Sequence, residues 1–166
     1  LDPITGILLN DEMDDFSIPG RPNAFGLMPS PYNYAAPGKR PLSSIVPAIV
    51  ENEDGNVELV AGGSGGTKIL SAVFQVLLNL YDFDMNLLDA INYPRVHHQL
   101  LPDMLLMEQG YDYELVDKLL YIGHTVLLHN VEDREYSCQV HAVRKLKDGT
   151  IHAVGDYRKN GMGAGY

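Results

Sequence analysis

The stretch Gly62-Gly63-Ser64-Gly65-Gly66-Thr67 decides the fold, because it separates two apolar runs of different character. Before it, Val57 to Ala61 is a short run that predicts a β-strand. After it, Lys68 to Tyr81 is apolar on most of a helical circumference, which predicts a helix covered on more than one side. We expect Thr67 to cap this helix. The sequence therefore predicts a strand, a glycine turn and a helix in succession.

The flanking segments extend this unit into a layered structure. Ile45 to Val50 predicts another strand, and Glu53-Asp54-Gly55-Asn56 predicts the hairpin turn that joins it to the strand before the glycines. Residues 17–41 are rich in proline and glycine and predict a long ordered loop. Further helices are predicted at 86–92 and 112–122, and further strands at 4–9, 104–108, 125–128, 139–146 and 151–156. This order indicates an α+β fold with antiparallel sheets, in a single domain over residues 1–166.

Composition excludes some classes of function. The chain of 166 residues has a formal net charge of -10, which argues against a nucleic-acid surface. Cys138 is the single cysteine, so no internal disulfide can form, and we expect a small buried apolar side chain. The longest apolar stretch is too short to span a bilayer. The histidines lack the spacing of a zinc-binding helix.

An acidic turn, Asn10-Asp11-Glu12-Met13-Asp14-Asp15, carries four carboxylates in five positions. A calcium-binding EF-hand loop needs glycine at its sixth position, where this sequence has Asp15. Two interpretations remain on local grounds. The turn is solvated, or its carboxylates bind a substrate ammonium group through charge-assisted hydrogen bonds.

Two adjacent hydroxyls occur in Pro37-Gly38-Lys39-Arg40-Pro41-Leu42-Ser43-Ser44, where a loop leads into a predicted strand. Each serine offers one O–H donor, so the pair can bind a carboxylate, although strand-edge serines are common. Lys39 and Arg40 could raise the local positive potential, but we expect both to face solvent.

The glycine stretch allows two kinds of chemistry. It matches Gly-x-Ser-x-Gly between a strand and a helix, which is the setting of a nucleophilic serine and would make Ser64 the nucleophile. It is not a phosphate-binding P-loop, because Lys68 follows Thr67. Alternatively, backbone N–H groups at the start of the helix stabilise an oxyanion.

Three segments in this order, 5–16, 37–44 and 62–67, resemble the small catalytic subunit of the γ-glutamyltranspeptidase (glutathione hydrolase) family. The resemblance continues through 94–102 to the closing Gly163-Ala164-Gly165-Tyr166 and covers essentially the whole chain. It implies part of an αββα sandwich of the N-terminal-nucleophile hydrolase type, with antiparallel sheets.

The resemblance also implies roles for single residues. Glu12 and Asp15 match the groups that bind the α-amino group of a γ-glutamyl donor. Ser43 and Ser44 match those that bind its α-carboxylate. The backbone amides at Gly65 and Gly66 match the oxyanion hole.

One departure concerns the nucleophile, which in the family is a threonine that a precursor exposes by cleaving itself. Thr5 is followed by Gly6 and does not match the family's Thr-x-His-type segment. The resemblance therefore implies the C-terminal part of a small subunit that lacks its nucleophile and is inactive alone.

The implied partners are glutathione or another γ-glutamyl donor, an acceptor (water, an amino acid or a dipeptide), and the large subunit from the same precursor. No cofactor, metal or nucleic acid is expected. The implied location is the extracellular face of the plasma membrane or the secreted fraction. A serine hydrolase that uses Ser64, and a homologue that only binds its ligand, remain as alternatives.

Overall fold

A computed structural model of the chain describes residues 1–133 and 135–165. It contains two compact units, Leu1–Ser43 and Ser44–Tyr166. A single domain over residues 1–166 therefore stays a prediction. Tyr166, the last residue of the closing glycine motif, lies outside the described residues.

The first unit consists of turns, loops and two 3-10 helices, Glu12–Asp15 and Pro31–Asn33. The strand predicted at 4–9 is wrong. Gly6 adopts a φ of 70° and its N–H donates to the carbonyl oxygen of Asp2, which closes a turn instead. No strand among residues 1–133 and 135–165 pairs with this segment, so an extended conformation would leave its backbone without a ladder partner. The long loop predicted at 17–41 is confirmed, with one short 3-10 helix inside it.

Over residues 44–133 and 135–165, the second unit has ten helices and strands and two further 3-10 helices, Gly66–Lys68 and Tyr157–Lys159. In chain order the elements are β1 (Ala48–Glu51), β2 (Val57–Ser64), α1 (Ile69–Tyr81), α2 (Leu87–Asn92), β3 (Val96–His97), β4 (Leu105–Glu108), α3 (Tyr113–Tyr121), β5 (Val126–His129), β6 (Gln139–Lys145) and β7 (Ile151–Val154). The sequence predicted all of them except β3, whose two residues are too few to show a periodic pattern.

Two sheets result, and the α+β class is confirmed. The first has the order β1-β2-β6-β7 and is antiparallel throughout. Its predicted hairpin turn contains Gly55 at a φ of 78°. The second has the order β3-β4-β5, and β4 and β5 run parallel. This pair departs from the purely antiparallel expectation, because α3 crosses between the two strands and returns the chain to the same end.

The core of the second unit lies between α1 and the first sheet. One face of α1 packs on β2 and β6, with Val73 and Val76 fully buried against Leu59 and Val140. A second side of α1 packs against α2 and β3, where Gln75 is hydrogen-bonded to Val96. A third side is open: Leu70 is 64% exposed and Phe74 is 58% exposed. The expectation of a helix covered on more than one side is therefore met, although part of its apolar surface is exposed. None of the described helices is long and apolar enough to cross a membrane.

Candidate functional site

The acidic turn folds into the 3-10 helix Glu12–Asp15. The side chain of Asn10 accepts a hydrogen bond from the N–H of Glu12 at 3.0 Å and fixes the start of this helix. The carboxylates of Glu12, Asp14 and Asp15 are exposed, and none has a hydrogen-bond or ion-pair partner within the described residues. They can therefore accept hydrogen bonds from a cationic ligand. Among residues 1–133 and 135–165, no three His, Cys, Asp or Glu side chains are grouped so as to hold a metal ion.

Asn33 connects this turn with the segment that ends in Ser43, all within the first unit. Its Nδ2 donates to the backbone carbonyl oxygen of Asp15 at 2.8 Å. Its Oδ1 accepts from the backbone N–H of Leu42, also at 2.8 Å. Sequence reasoning missed Asn33, because no spacing rule relates a loop asparagine to partners 18 positions before it and nine after it.

Lys39 holds the backbone on both sides of Asn33. Its Nζ donates to the carbonyl oxygens of Tyr32, at 2.6 Å, and Tyr34, at 2.9 Å. Lys39 is exposed, as expected, but its ammonium group bonds the loop rather than facing solvent alone. Lys39, the first residue of the basic pair before the serines, thus helps to hold the shape of this loop.

The two serines lie at the boundary of the two units: Ser43 ends the first and Ser44 begins the second. The strand predicted to start at Ile45 begins only at Ala48. Pro47 precedes that residue and has no N–H to offer to a ladder, which explains the later start. Ser43 and Ser44 therefore lie in an irregular segment.

The turn after β2 needs glycine at two consecutive positions, for different reasons. Gly66 adopts a φ of 61°, in the left-handed region. A Cβ on Gly65 would lie 2.9 Å from both Cβ and Sγ of Cys138, which is too close. The turn leads directly into the 3-10 helix Gly66–Lys68, and the first N–H groups of a helix have no intrahelical acceptor. These amides can therefore donate hydrogen bonds to an anion.

Cys138 is buried and behaves as the small apolar group that we expected. Burial raises the pKa of its thiol to about 11, so the sulfur stays protonated and unreactive at neutral pH. Its contribution is to limit the space beside Gly65.

Ser64 does not have the surroundings of a nucleophile. It is the last residue of β2, paired with Gln139, and the turn itself lies at Gly65 and Gly66. Within the described residues no histidine or carboxylate is hydrogen-bonded to its hydroxyl. A serine nucleophile needs a base within hydrogen-bond reach. The geometry therefore argues against the serine-hydrolase alternative.

Thr67 does not cap α1, contrary to prediction. The N-cap position is Lys68, and no side chain caps it. Instead the hydroxyl of Thr67 donates to Oε1 of Gln99 at 2.7 Å. This bond ties the glycine turn to the segment that follows β3, 32 positions later.

His97 extends the hydrogen-bond network that begins with Thr67 and Gln99. Its Nε2 is 2.9 Å from Oε1 of Gln99, and its Nδ1 is 2.7 Å from the hydroxyl of Ser71. Because Gln99 donates through Nε2 to the carbonyl of Leu101, its Oε1 must be an acceptor, so His97 carries its proton on Nε2. Burial lowers the pKa of His97, which favours this neutral form. The unprotonated Nδ1 then accepts from the Ser71 hydroxyl, whose single proton is shared with the carbonyl oxygen of Lys68 at 3.1 Å.

A buried charge cluster consists of Arg95, Glu108, Asp156 and Arg158. It is connected to the glycine turn through Cys138. Arg95 contacts Asp156 at 3.0 Å, and Arg158 contacts Glu108 at 2.6 Å and Asp156 at 3.2 Å. Arg95 also donates to the carbonyl oxygen of Cys138 at 2.6 Å, which fixes the residue that packs on Gly65. Sequence patterns do not reveal this cluster, because Arg95, Glu108 and the Asp156–Arg158 pair lie far apart in the chain.

Burial by itself would raise the pKa of the Asp156 carboxyl. The guanidinium groups of Arg95 and Arg158, with the backbone N–H groups of Arg158 and Val140, outweigh that effect and hold the pKa below its usual value. Asp156 is therefore ionised at neutral pH, although its side chain is fully buried.

Comparison with known families decides the relationship. The family model described as Gamma-glutamyltranspeptidase matches residues 1–166. The chain belongs to the γ-glutamyltranspeptidase family. The resemblance stated from the sequence is thereby confirmed.

Individual relatives agree. The chain is 45% identical over 166 residues to glutathione hydrolase proenzyme 1 of Schizosaccharomyces pombe, covering all of this chain and 26% of that protein. It is 40% identical over 164 residues to the glutathione hydrolase proenzyme of Escherichia coli, covering 98% of this chain and 27% of that one. The chain thus spans about a quarter of the length of these curated relatives.

Among solved structures, a mutant of Helicobacter pylori γ-glutamyltranspeptidase superposes with a TM-score of 0.83 at 37% identity. The match covers 96% of this chain and 85% of that one. This likeness confirms the predicted fold class, α+β of the N-terminal-nucleophile hydrolase type.

Proposed function

We propose that the protein containing this chain transfers and hydrolyses the γ-glutamyl group of glutathione and related compounds. The observation that carries the proposal is the first unit's arrangement. Its exposed carboxylates lack partners within the described residues, and Asn33 holds them to the segment that ends in Ser43. Such a surface can bind a ligand that carries an ammonium group and a carboxylate on the same carbon atom.

In this proposal Glu12 and Asp15 accept hydrogen bonds from the donor's ammonium group. The hydroxyls of Ser43 and Ser44 donate to its α-carboxylate. Charge-assisted hydrogen bonds are roughly twice as strong as neutral ones, so these contacts fix the donor's position. Fixing one end of the substrate brings the γ-carbonyl to a reproducible place, which lowers the entropic part of the barrier.

The chemical step uses a threonine outside this sequence, in the intact protein. Its hydroxyl attacks the γ-carbonyl while its own α-amine takes the proton. The backbone amides of Gly65 and Gly66 stabilise the oxyanion that forms. The γ-amide bond breaks, the amine leaves with the proton, and the resulting ester is transferred to water, an amino acid or a dipeptide. The chain alone, without the threonine and a large subunit from the same precursor, is inactive in this proposal.

Release of p-nitroaniline from γ-glutamyl p-nitroanilide tests the proposal. We expect turnover by the intact protein, a higher rate when glycylglycine is added as acceptor, and no turnover by the 166-residue chain. Comparable turnover by the isolated chain would overturn the threonine mechanism. Ligand binding by the intact protein without turnover would favour the binding-only alternative.

A serine-directed acylating probe tests the other alternative. We expect no label on Ser64 and near-normal turnover by Ser64→Ala. Labelling of Ser64, together with loss of turnover in Ser64→Ala, would establish a serine hydrolase instead.

We also propose that the intact protein acts outside the cytoplasm, on the cell surface or as a secreted protein. The support is the family resemblance. Cleavage of the protein by a protease added to intact cells, or its recovery from the culture medium, is the expected result. Complete retention inside protected cells would contradict this location.

A further inference from the structure

Asn33 has a side chain whose two ends bind two different backbone segments. Nδ2 donates to the carbonyl oxygen of Asp15 and Oδ1 accepts from the N–H of Leu42, both at 2.8 Å. The orientation of the amide is fixed, because the reverse orientation would face oxygen with oxygen and N–H with N–H. Aspartate has no donor and leucine has neither group. Only a side-chain amide of this length satisfies both partners.

The two segments are those that carry the proposed donor-binding groups. Asp15 provides the carbonyl oxygen through its backbone and a proposed ammonium acceptor through its side chain. Leu42 directly precedes Ser43, a proposed carboxylate donor. The ammonium and the carboxylate of a γ-glutamyl donor are attached to the same carbon atom. Both groups can be bound at the same time only if the distance between the two segments stays constant.

The position of Asn33 is itself constrained. Its backbone carbonyl accepts from the N–H of Ser17 at 3.0 Å. The ammonium group of Lys39 binds the carbonyl oxygens of the residues before and after it. These contacts hold the Asn33 side chain in one rotamer, so it keeps the two segments at a fixed distance.

We infer that Asn33 is a positioning residue that sets the distance between the ammonium-binding and carboxylate-binding groups. It makes the enzyme selective for donors that carry both charges on one carbon. This inference rests on the proposed function. Asn33 does not contact the substrate and acts through Asp15 and through the segment of Leu42 and Ser43.

Three donors separate a spacing role from other roles in the intact protein. L-γ-glutamyl p-nitroanilide has both charged groups, glutaryl p-nitroanilide lacks the ammonium, and 4-aminobutanoyl p-nitroanilide lacks the carboxylate. We expect Asn33→Leu to lower kcat/KM for the first donor by about 10-fold, mainly through KM, since two hydrogen bonds are lost. The values for the two single-charge donors should change by less than about twofold, because neither needs the correct separation.

A matched control is Asn23→Asp. Asn23 is in the same loop, but among the described residues its side chain accepts only from the nearby N–H groups of Phe25 and Leu27, at 3.0 Å each, and aspartate keeps those bonds. We expect all three donors to behave as with the unaltered protein. Lys39→Met, which releases the backbone around Asn33, should reproduce the pattern of Asn33→Leu, and it serves as the test if Asn33→Leu does not fold.

The outcomes are distinct. An equal loss for all three donors, or no loss for any, would overturn the spacing role while the proposed function stands. A loss shared only by the two donors that carry an ammonium would mean that Asn33 affects the position of Asp15 alone. That result would overturn the spacing role as well. If the unaltered protein releases no p-nitroaniline from the γ-glutamyl donor, the proposed function fails, and this inference fails with it.

Discussion

Gly65 and Cys138 are packed so closely that a single added methyl group at Gly65 would lie 2.9 Å from the cysteine Sγ. Cys138 cannot easily withdraw, because its carbonyl oxygen is bound by the buried side chain of Arg95. The position of the glycine turn is therefore constrained by Cys138, which directly precedes β6, and by Arg95 of the charge cluster, both far away in sequence.

Gly65→Ala should displace the turn and remove a proposed oxyanion donor. We expect kcat of the intact protein to fall about 100-fold or more. Gly62→Ala is the matched control, since a Cβ there would meet no atom within 4 Å. Steady-state kinetics with γ-glutamyl p-nitroanilide, on protein shown by circular dichroism to be folded, provide the measurement. Similar rates for the two variants would mean that this turn does not stabilise the transition state.

Asp15→Ala should weaken donor binding through loss of a charge-assisted hydrogen bond. We expect kcat/KM for the γ-glutamyl donor to fall about 10-fold or more, and to fall less for the glutaryl donor, which has no ammonium group. Asp14→Ala, in the same exposed 3-10 helix, is the control and should have little effect. If both donors lose equally with Asp15→Ala, the ammonium role of this carboxylate is wrong.

Thr67→Val should lower kcat about 2- to 10-fold, because the hydroxyl that ties the glycine turn to Gln99 is lost. Thr67→Ser keeps the hydroxyl and should retain most of the rate. Gln75→Met is a useful comparison: it removes two hydrogen bonds between α1 and Val96 without touching Thr67. A fall in kcat with Gln75→Met as large as with Thr67→Val would indicate a general loss of rigidity instead.

Asp156→Asn should destabilise the protein strongly, since it leaves buried arginine charge without its counter-ion. Removing one partner of a buried ion pair costs about 3–5 kcal/mol in the free energy of unfolding. Lys118→Met breaks the exposed pair with Glu114 and should cost no more than about 0.5 kcal/mol. Urea unfolding of the two variants measures the difference, and equal midpoints would contradict the importance of the cluster.

Stability should also fall in acid, in a direction that follows from Asp156. Because its pKa in the folded protein is below the usual value of 3.8, its contribution is fully present well above that value and is lost as the pH falls through the folded-state pKa. The midpoint of unfolding, measured between pH 7 and pH 3, should decrease at the acidic end. Asp156→Asn should show a smaller decrease over that range, and an identical decrease would assign the acid sensitivity to other groups.

Local patterns predicted most of the second unit. The apolar run after Thr67 predicted α1, and the Asp54-Gly55 turn predicted the hairpin of β1 and β2, because periodicity and turn chemistry act over a few residues. The segment 4–9 looked equally strand-like but forms a turn, since a strand depends on a partner that its own sequence does not reveal. Pro47 delayed the start of β1 in a way that the sequence could have indicated.

The site residues themselves came from the resemblance, and their supporting contacts did not. Asn33, Gln99 and Asp156 each bind partners far along the chain, and nothing in their neighbouring residues marks them. Prediction from one sequence identifies groups that bear the chemistry more readily than groups that hold them in place.

The charge cluster has a consequence for synthesis of the protein on the ribosome. Arg95 and Glu108 emerge well before Asp156 and Arg158, which complete their ion pairs. Until those last partners leave the exit tunnel, a folded core would enclose a guanidinium and a carboxylate without their counter-charges. The nascent second unit should therefore remain loosely folded, and open to chaperones, until almost all of its residues have been translated.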